Sequence, residues 1–238
     1  MENLTKAEEI VSHDNSDFLT ANVQRRSFIK YAGAATAAVA LIAAGCKKSH
    51  DGNNGAEAYL GRGDTGILNY AYALEQLEAA FYTQAVASFG GDSSWTVAEK
   101  ALITDIRDHE IAHREFFKTA LGTNAIGSLE VNFDSINFNS KANVLATAKA
   151  FEDLGVSAYN GAGYLIENGD YLTLAGKIVS VEARHAAYIR DLISNGSFAG
   201  ADVVNPTTGL DTSRSPQEVL GIAGAYIKTK INANDLPS

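Results

Sequence analysis

Two segments of the chain place a glutamate and a histidine three residues apart within an apolar pattern. They are Glu110 and His113 in DHEIAHREFF, and Glu182 and His185 in SVEARHAAYIR. Residues with this spacing lie on one face of a helix. A buried carboxylate beside a buried imidazole is costly unless the two groups are paired or bind a metal ion. A single Glu-x-x-His motif is weak, but its repetition predicts a metal site.

Two further glutamates stand among apolar residues, and each has a tyrosine seven residues later. Glu75 precedes Tyr82, and Glu152 precedes Tyr159. Because seven residues make two helical turns, each tyrosine shares the helical face of its glutamate. A phenol there can donate a hydrogen bond to a ligand carboxylate. We predict that Tyr82 and Tyr159 steady the carboxylates or relay a proton or an electron, which makes them the candidate catalytic residues.

Two neighbouring residues compete for the ligand positions. Glu78 shares a helical face with Glu75, but only Glu75 has a tyrosine seven residues later. His109 is the alternative to His113, yet it lies about 100° around the helix from Glu110. The spacing of the second pair therefore favours His113. Three aspartates are candidates for orienting the imidazoles: Asp105, Asp108 and Asp191.

Four long segments with helical periodicity carry these units, one unit on each segment. The predicted helices span residues 65–89, 97–121, 141–166 and 171–193. In chain order they supply Glu, Glu-x-x-His, Glu and Glu-x-x-His, the ligand set of two-metal carboxylate bundles. Aromatic residues on the apolar faces are predicted to be core: Phe81, Phe116, Phe117, Phe151 and Tyr188.

The connections between these helices predict their topology. Short turns join the first helix to the second and the third to the fourth, so each pair is antiparallel. The 19 residues from 122 to 140 can reach about 60 Å, whereas a helix of about 25 residues is about 37 Å long. This segment can therefore run the length of a bundle, which predicts an all-α, ferritin-like four-helix bundle. A solenoid is disfavoured because no repeat is visible.

Both ends of the chain carry further signals. Arg25 and Arg26, followed by a short apolar run over residues 31–44 and then by Cys46, resemble a twin-arginine export signal with a lipoprotein cleavage site. The 14-residue run is too short to span a membrane well. We predict a signal peptide over residues 1–46, a flexible tether over 47–63, the bundle over 64–195, and a loop and C-terminal helix over 196–238 that pack on the bundle. Ser215, Pro216 and Glu218 mark the start of that helix.

Composition narrows the classes of function. The chain has 19 Lys and Arg residues against 28 Asp and Glu residues, and no basic stripe, so we expect no nucleic-acid binding. Cys46 is the only cysteine, so lipidation there leaves no thiol for a disulfide or a metal site. Partners are then the twin-arginine translocase during export and the membrane through lipidated Cys46. The expected location is the bacterial cell envelope, as a periplasmic protein or a membrane-anchored lipoprotein.

From about Leu68 to Ile193 the chain resembles the ferritin-like superfamily. The segments LNYAYALEQLEAAFY and FEDLGVSAYNGAG resemble the branch that includes plant desiccation-related proteins and their bacterial relatives. The resemblance implies a centre of two iron or two manganese ions in which two carboxylates bridge the metals. The ligands that it implies are Glu75, Glu110, His113, Glu152, Glu182 and His185.

The leading functional prediction is redox chemistry on dioxygen, peroxide or ferrous iron at a dinuclear Fe or Mn site, in oxidative stress or metal handling. The small-molecule partner is then an oxidant or a metal ion. The alternative is a non-catalytic bundle that protects the cell under stress or binds a partner, with structural metal or none. Absence of turnover in a metal-loaded protein would favour the alternative. The choice of metal and the presence of a homo-oligomer stay open.

Overall fold

Four long helices form the body of the protein in the computed structural model, which describes residues 57–237. They are α1 (Gly63–Ala87), α2 (Val97–Leu121), α3 (Lys141–Gly163) and α4 (Gly169–Ile193). The predicted all-α class with four long helices is confirmed. The predicted signal peptide, Cys46 and most of the predicted tether lie outside the described residues. Within residues 57–237, no helix combines the length and hydropathy needed to cross a membrane.

The helix boundaries follow local capping chemistry. Helix α2 begins at Val97 as predicted, because Thr96 accepts a hydrogen bond from the Glu99 amide and Glu99 accepts one from the Thr96 amide. Helix α4 begins at Gly169, two residues before the predicted start. The reason is Asn168, whose side chain accepts hydrogen bonds from the amides of residues 170 and 171.

The helices pack as two antiparallel hairpins, α1 with α2 and α3 with α4. Large apolar side chains from all four helices fill the space between them, and at several of these positions no surface is exposed. Their burial is the main apolar stabilisation of the bundle. The most deeply buried include Phe81, Tyr82, Ile103 and Ile189.

The segment between α2 and α3 runs along α1, as the long crossover predicted from the sequence requires. Near the start of α1, the Asn69 side-chain amide donates to the Asn124 carbonyl, and its oxygen accepts from the Ile126 amide. Two turns later, Gln76 donates to the Gly127 carbonyl and accepts from the Leu129 amide. Polar side chains at two levels of α1 therefore form hydrogen bonds with backbone groups of the crossover. Within residues 57–237 these backbone groups are not paired with a strand, so they need side-chain partners.

Aromatic contacts continue this path. Farther along α1, the ring of Phe81 contacts Phe133 and Phe138 of the crossover, with ring centroids 6.1 and 5.7 Å apart. Phe81 also contacts Phe151 of α3 at 5.1 Å. The crossover therefore runs beside α1 toward the C-terminal end of α1 and leads to the start of α3.

The structure differs from the predicted tether at its C-terminal end. Residues 58–59 form strand β1 (Ala58–Tyr59), which pairs in parallel with β2 (Ile231–Asn232) near the end of the chain. Leu60 is fully buried, so this part of the chain belongs to the folded domain. The composition looked like a tether because a two-residue strand is too short to give a periodic pattern.

The C-terminal segment packs on α3. Helix α5 (Pro216–Ala223) begins with the predicted capping box. Just before it, the Arg214 amide donates to the Ser157 carbonyl and the Arg214 guanidinium donates to the Ser157 hydroxyl. Gly161 allows this approach, because a Cβ there would lie only 1.7 Å from the Arg214 carbonyl oxygen. These contacts hold the segment just before α5 against α3.

The hydrogen bonds of Asn69 allow a test of whether this side chain holds the crossover against α1. Asn69 is buried and its amide also donates to the Leu60 carbonyl. We expect Asn69→Leu to lower the free energy of unfolding by about 2–4 kcal/mol, because three buried backbone groups lose a partner. Urea unfolding followed by circular dichroism measures the loss. The exposed Asn234 gives the control, and an equal loss in Asn234→Leu would contradict this role of Asn69.

Candidate metal centre

The six predicted ligands come together in the middle of the bundle. All four glutamates have no exposed surface, and the side chains of His113 and His185 are 13% and 6% exposed. Their nitrogen and oxygen atoms form two groups, and within each group the contributing atoms lie within 4.8 Å of one another. The first group contains Glu75, Glu110, His113 and Glu182. The second contains Glu110, Glu152, Glu182 and His185.

Two carboxylates divide their oxygens between the groups. Glu110 places Oε2 3.5 Å from His113 Nδ1 and Oε1 2.8 Å from His185 Nδ1. Glu182 likewise places Oε1 2.7 Å from His113 Nδ1 and Oε2 3.7 Å from His185 Nδ1. A carboxylate that offers one oxygen to each of two adjacent positions is suited to bridging two metal ions.

The other two carboxylates each direct one oxygen into a single group. Glu75 Oε2 lies 3.5 Å from His113 Nδ1, and Glu152 Oε2 lies 3.5 Å from His185 Nδ1. Each of these glutamates therefore has one oxygen available for one metal ion and one oxygen free for a different partner.

That partner is a tyrosine of the facing helix. Tyr82 donates a hydrogen bond to Glu152 Oε1 at 2.5 Å, and Tyr159 donates to Glu75 Oε1. Each tyrosine thus contacts the glutamate of the opposite helix rather than the one seven residues before it. The reason is that two helical turns span about 11 Å along one helix, whereas antiparallel α1 and α3 bring each phenol level with the facing carboxylate.

The buried atoms of the two groups lack hydrogen-bond partners. Among residues 57–237, nine buried side-chain nitrogen and oxygen atoms make no hydrogen bond, and eight of them belong to these six residues. Buried polar atoms are nearly always satisfied in folded proteins, so eight unpartnered atoms in one place indicate a site built for a ligand. Carboxylate oxygens and imidazole nitrogens are donors for Fe, Mn or Zn, so these residues fit a pair of metal ions.

Burial controls the protonation of these groups. Burial, followed by the charge of Glu182, raises the pKa of Glu110 to about 8. Burial also raises the pKa of Glu152 to about 7, although the charge of His185 opposes this. For Glu182, burial acts in the same direction, but the adjacent His113 and His185 imidazoles outweigh it and lower the pKa of Glu182 to about 2. A site without metal therefore retains protons that metal ions would displace.

The charges of the six residues also suit two divalent cations. Burial lowers the pKa of both imidazoles, but the surrounding glutamates outweigh it and raise the pKa of His113 and His185 well above the usual value. Two imidazolium groups can balance only two of the four carboxylates, and burial favours retained protons on the others. Two divalent ions with neutral imidazoles would balance four carboxylates in full, which is the arrangement that a water-excluding core favours.

Glu78 lies outside both groups. It is 4% exposed and turns toward α3, where a Cβ at Gly155 would lie 3.0 Å from Glu78 Oε1. Burial, followed by the charge of Glu182, raises the pKa of Glu78 well above its ordinary value. The structure therefore places Glu75, and not Glu78, with the clustered residues.

The three aspartates do not orient the imidazoles. Asp108 accepts hydrogen bonds from Arg107, and Asp191 accepts one from the Gly196 amide. The Asp105 side chain makes no hydrogen bond within residues 57–237. Instead, His109 Nδ1 lies 2.9 Å from His185 Nε2, so the histidine that was weighed against His113 contacts the second imidazole. Burial, followed by the charges of His185 and His113, lowers the pKa of His109.

Comparison with known families gives a finding that fits this geometry. The model of a family described as a ferritin-like domain matches residues 63–195, which contain all four helices and all six clustered residues. The model of the twin-arginine translocation pathway signal sequence matches residues 22–41. The chain therefore carries a signal for export by the twin-arginine route into the cell envelope. No curated protein matches the chain.

The isolated burial of Glu78 gives a prediction about pH. Its raised pKa means that the unfolded chain releases this proton more readily, so the carboxyl destabilises the fold increasingly above about pH 4.3. The side chain in Glu78→Gln has no ionisable proton, so it avoids this pH-dependent loss. We expect the free energy of unfolding of this variant to gain on that of the wild type as the pH rises above about 4.3, by at most about 1.4 kcal/mol per pH unit, for as long as folded Glu78 keeps its proton.

Urea unfolding at several pH values, with equal metal content in both proteins, measures this gain. The exposed Glu115 on α2 supplies the matched control, because it lies outside the core and Glu115→Gln should not reproduce this gain. A flat difference for Glu78→Gln would contradict the prediction.

Proposed function

Because the chain belongs to the ferritin-like domain family, we propose that it holds two Fe or two Mn ions and performs redox chemistry in the cell envelope. Its substrates on this proposal are dioxygen, peroxide or ferrous iron. The observation that carries it is the convergence of eight unpartnered, buried ligand atoms from six residues. The proposed metal ligands are Glu75, Glu110, His113, Glu152, Glu182 and His185.

The donor set and the export route together favour iron or manganese. Four carboxylates and two imidazoles are harder donors than Cu(I) prefers, although the general order of affinities favours zinc over Fe and Mn. The twin-arginine route exports proteins after they fold, so on this proposal the site loads in the cytoplasm, away from zinc and copper in the envelope. The predicted lipid on Cys46 would then hold the loaded domain at a membrane.

A bound metal pair would supply electrons to a small oxidant or accept electrons from a reductant. The residues of the chain prepare the site for that exchange. Tyr82 and Tyr159 each donate a hydrogen bond to one glutamate, which leaves the other carboxylate oxygen directed at the metal position. Burial and the charge of a glutamate raise the pKa of both phenols well above the usual value. Both hydroxyls therefore keep their protons and remain donors.

A cavity beside the site supports a small substrate. Tyr70, Leu74 and Tyr159 line an apolar cavity of about 20 Å³ between α1 and α3. This volume exceeds the roughly 10–15 Å³ that one water molecule requires, so a molecule as small as dioxygen or peroxide fits. The cavity reaches Tyr159, whose hydroxyl contacts Glu75.

Elemental analysis of the exported domain, purified from a host that uses the twin-arginine route, tests the proposal. We expect about two Fe or Mn ions per chain. Glu110→Ala should lose most of them, since Glu110 belongs to both groups, and His185→Ala should lose about one, since His185 belongs to the second group only. Glu115→Ala, on the same helix as Glu110 but exposed, should load as the wild type does. Mutants of Glu110 and His185 that load fully would contradict the site assignment.

Turnover separates this proposal from the non-catalytic alternative. Purified protein with two ions per chain should consume peroxide or oxidise ferrous iron at a rate that falls to the background in Glu110→Ala. A fully loaded protein that reacts with none of the three substrates would instead support a stress-protective or partner-binding bundle with structural metal.

The crossed hydrogen bonds give a second prediction. Tyr82→Phe and Tyr159→Phe should each weaken metal binding by about 10–100-fold, because a carboxylate ligand loses the donor that orients it. Titration of the metal-free protein with Mn²⁺, monitored by electron paramagnetic resonance of the free ion, measures the change. Tyr72 is buried on α1 but lies outside both groups, and Tyr72→Phe should bind as the wild type does. Equal effects of all three substitutions would contradict the orienting role.

A further inference from the structure

The six clustered residues are arranged with a pseudo-twofold relation. It exchanges α1 with α3 and α2 with α4, so that Glu75 corresponds to Glu152 and Glu110 corresponds to Glu182. Under the same relation, the residue before the first Glu-x-x-His motif corresponds to the residue before the second. On α2 this residue is His109, and on α4 it is Val181. The symmetry of the ligands is therefore broken by a polar side chain on one side only.

His109 reaches across the bundle to one of the two imidazoles. Its Nδ1 lies 2.9 Å from His185 Nε2, and the two rings are nearly parallel, with centroids 5.2 Å apart. His113, the counterpart of His185, has no hydrogen-bond partner at its Nε2 within residues 57–237. The side chain of His113 is 13% exposed, against 6% for His185.

The position of the proton in this contact follows from the other nitrogen of His185. Nδ1 of His185 faces Glu110 at 2.8 Å and belongs to the second group. A neutral imidazole that uses Nδ1 as a ligand carries its proton on Nε2. Nε2 of His185 therefore donates and Nδ1 of His109 accepts, which leaves the remaining proton of His109 on its outer nitrogen.

We propose that His109 is a positioning residue that fixes the tautomer and orientation of His185, and so makes the two metal positions unequal. The position formed by Glu152 and His185 binds its ion more tightly than the position formed by Glu75 and His113. A hydrogen bond to the outer nitrogen of a ligand imidazole raises its basicity and restrains its ring, typically worth about 10–100-fold in metal affinity. This inference rests on the proposed function, because it requires that the six residues bind metal.

Titration of the metal-free exported domain with Mn²⁺, followed by electron paramagnetic resonance of the free ion, tests the inference. The wild type should bind two ions with two distinguishable affinities. We expect His109→Leu to weaken the tighter affinity by about 10–100-fold and to leave the weaker one unchanged. His109→Gln should restore most of the loss, because its amide oxygen can accept the same hydrogen bond. Val181→Ala, at the corresponding position of α4, should change neither affinity.

Background mutations assign the affected position. In His113→Ala the remaining position should stay fully sensitive to His109→Leu, whereas in His185→Ala the same substitution should change the remaining affinity by less than about twofold. Comparison of thermal unfolding between His109→Leu and the wild type tests whether the variant keeps its fold. Equal affinities in the wild type, equal weakening of both positions by His109→Leu, or no rescue by glutamine would each overturn the inference. A wild type that binds no Mn²⁺ would instead defeat the proposed function.

Discussion

The burial of four carboxylates and two imidazoles at one level of a helical bundle is the constraint on which the rest of the structure depends. Isolated charges in such a core are strongly destabilising. No single helix can compensate them, because each contributes only one glutamate or one Glu-x-x-His pair. The compensation comes from neighbouring helices, so the site can exist only when all four helices are in place.

The compensating contacts also determine the relative register of the helices. Tyr82 contacts Glu152 while Tyr159 contacts Glu75, and this reciprocal pattern fits antiparallel helices in one register only. The reciprocal contacts of His113 with Glu182 and His185 with Glu110 have the same effect on α2 and α4. A shift by one residue would turn a side chain by about 100° and break both contacts of a pair. The site therefore contributes to fold specificity as well as to chemistry.

The sequence predicts the helices and the clustered residues well, because both depend on local periodicity and on a motif that occurs twice. It does not predict which residues contact the carboxylate oxygens and ring nitrogens that point away from the metal positions, since those contacts depend on packing between helices. The crossed partners of Tyr82 and Tyr159 and the contact between His109 and His185 are of this kind.

Asn69 and Gln76 were missed, although a signal existed in two amide side chains that are seven residues, and so two turns, apart on α1. Phe116 and Tyr188 were predicted to be core and are exposed by 38% and 53%. Their aromatic character alone did not distinguish the rim of an apolar face from its centre.

A second departure from symmetry shows why the surroundings of the site cannot be exact copies. Gly155 occupies on α3 the position that Glu78 occupies on α1, and the Glu78 carboxyl lies where a side chain at Gly155 would begin. Glutamate at both positions would place two carboxyls in the same small volume. Glycine at position 155 leaves room for the Glu78 carboxyl. The ligands can obey the twofold relation because metal ions would share them, whereas Glu78 and His109 have a glycine and a valine at the corresponding positions. A difference between the two metal positions would therefore originate in these surroundings.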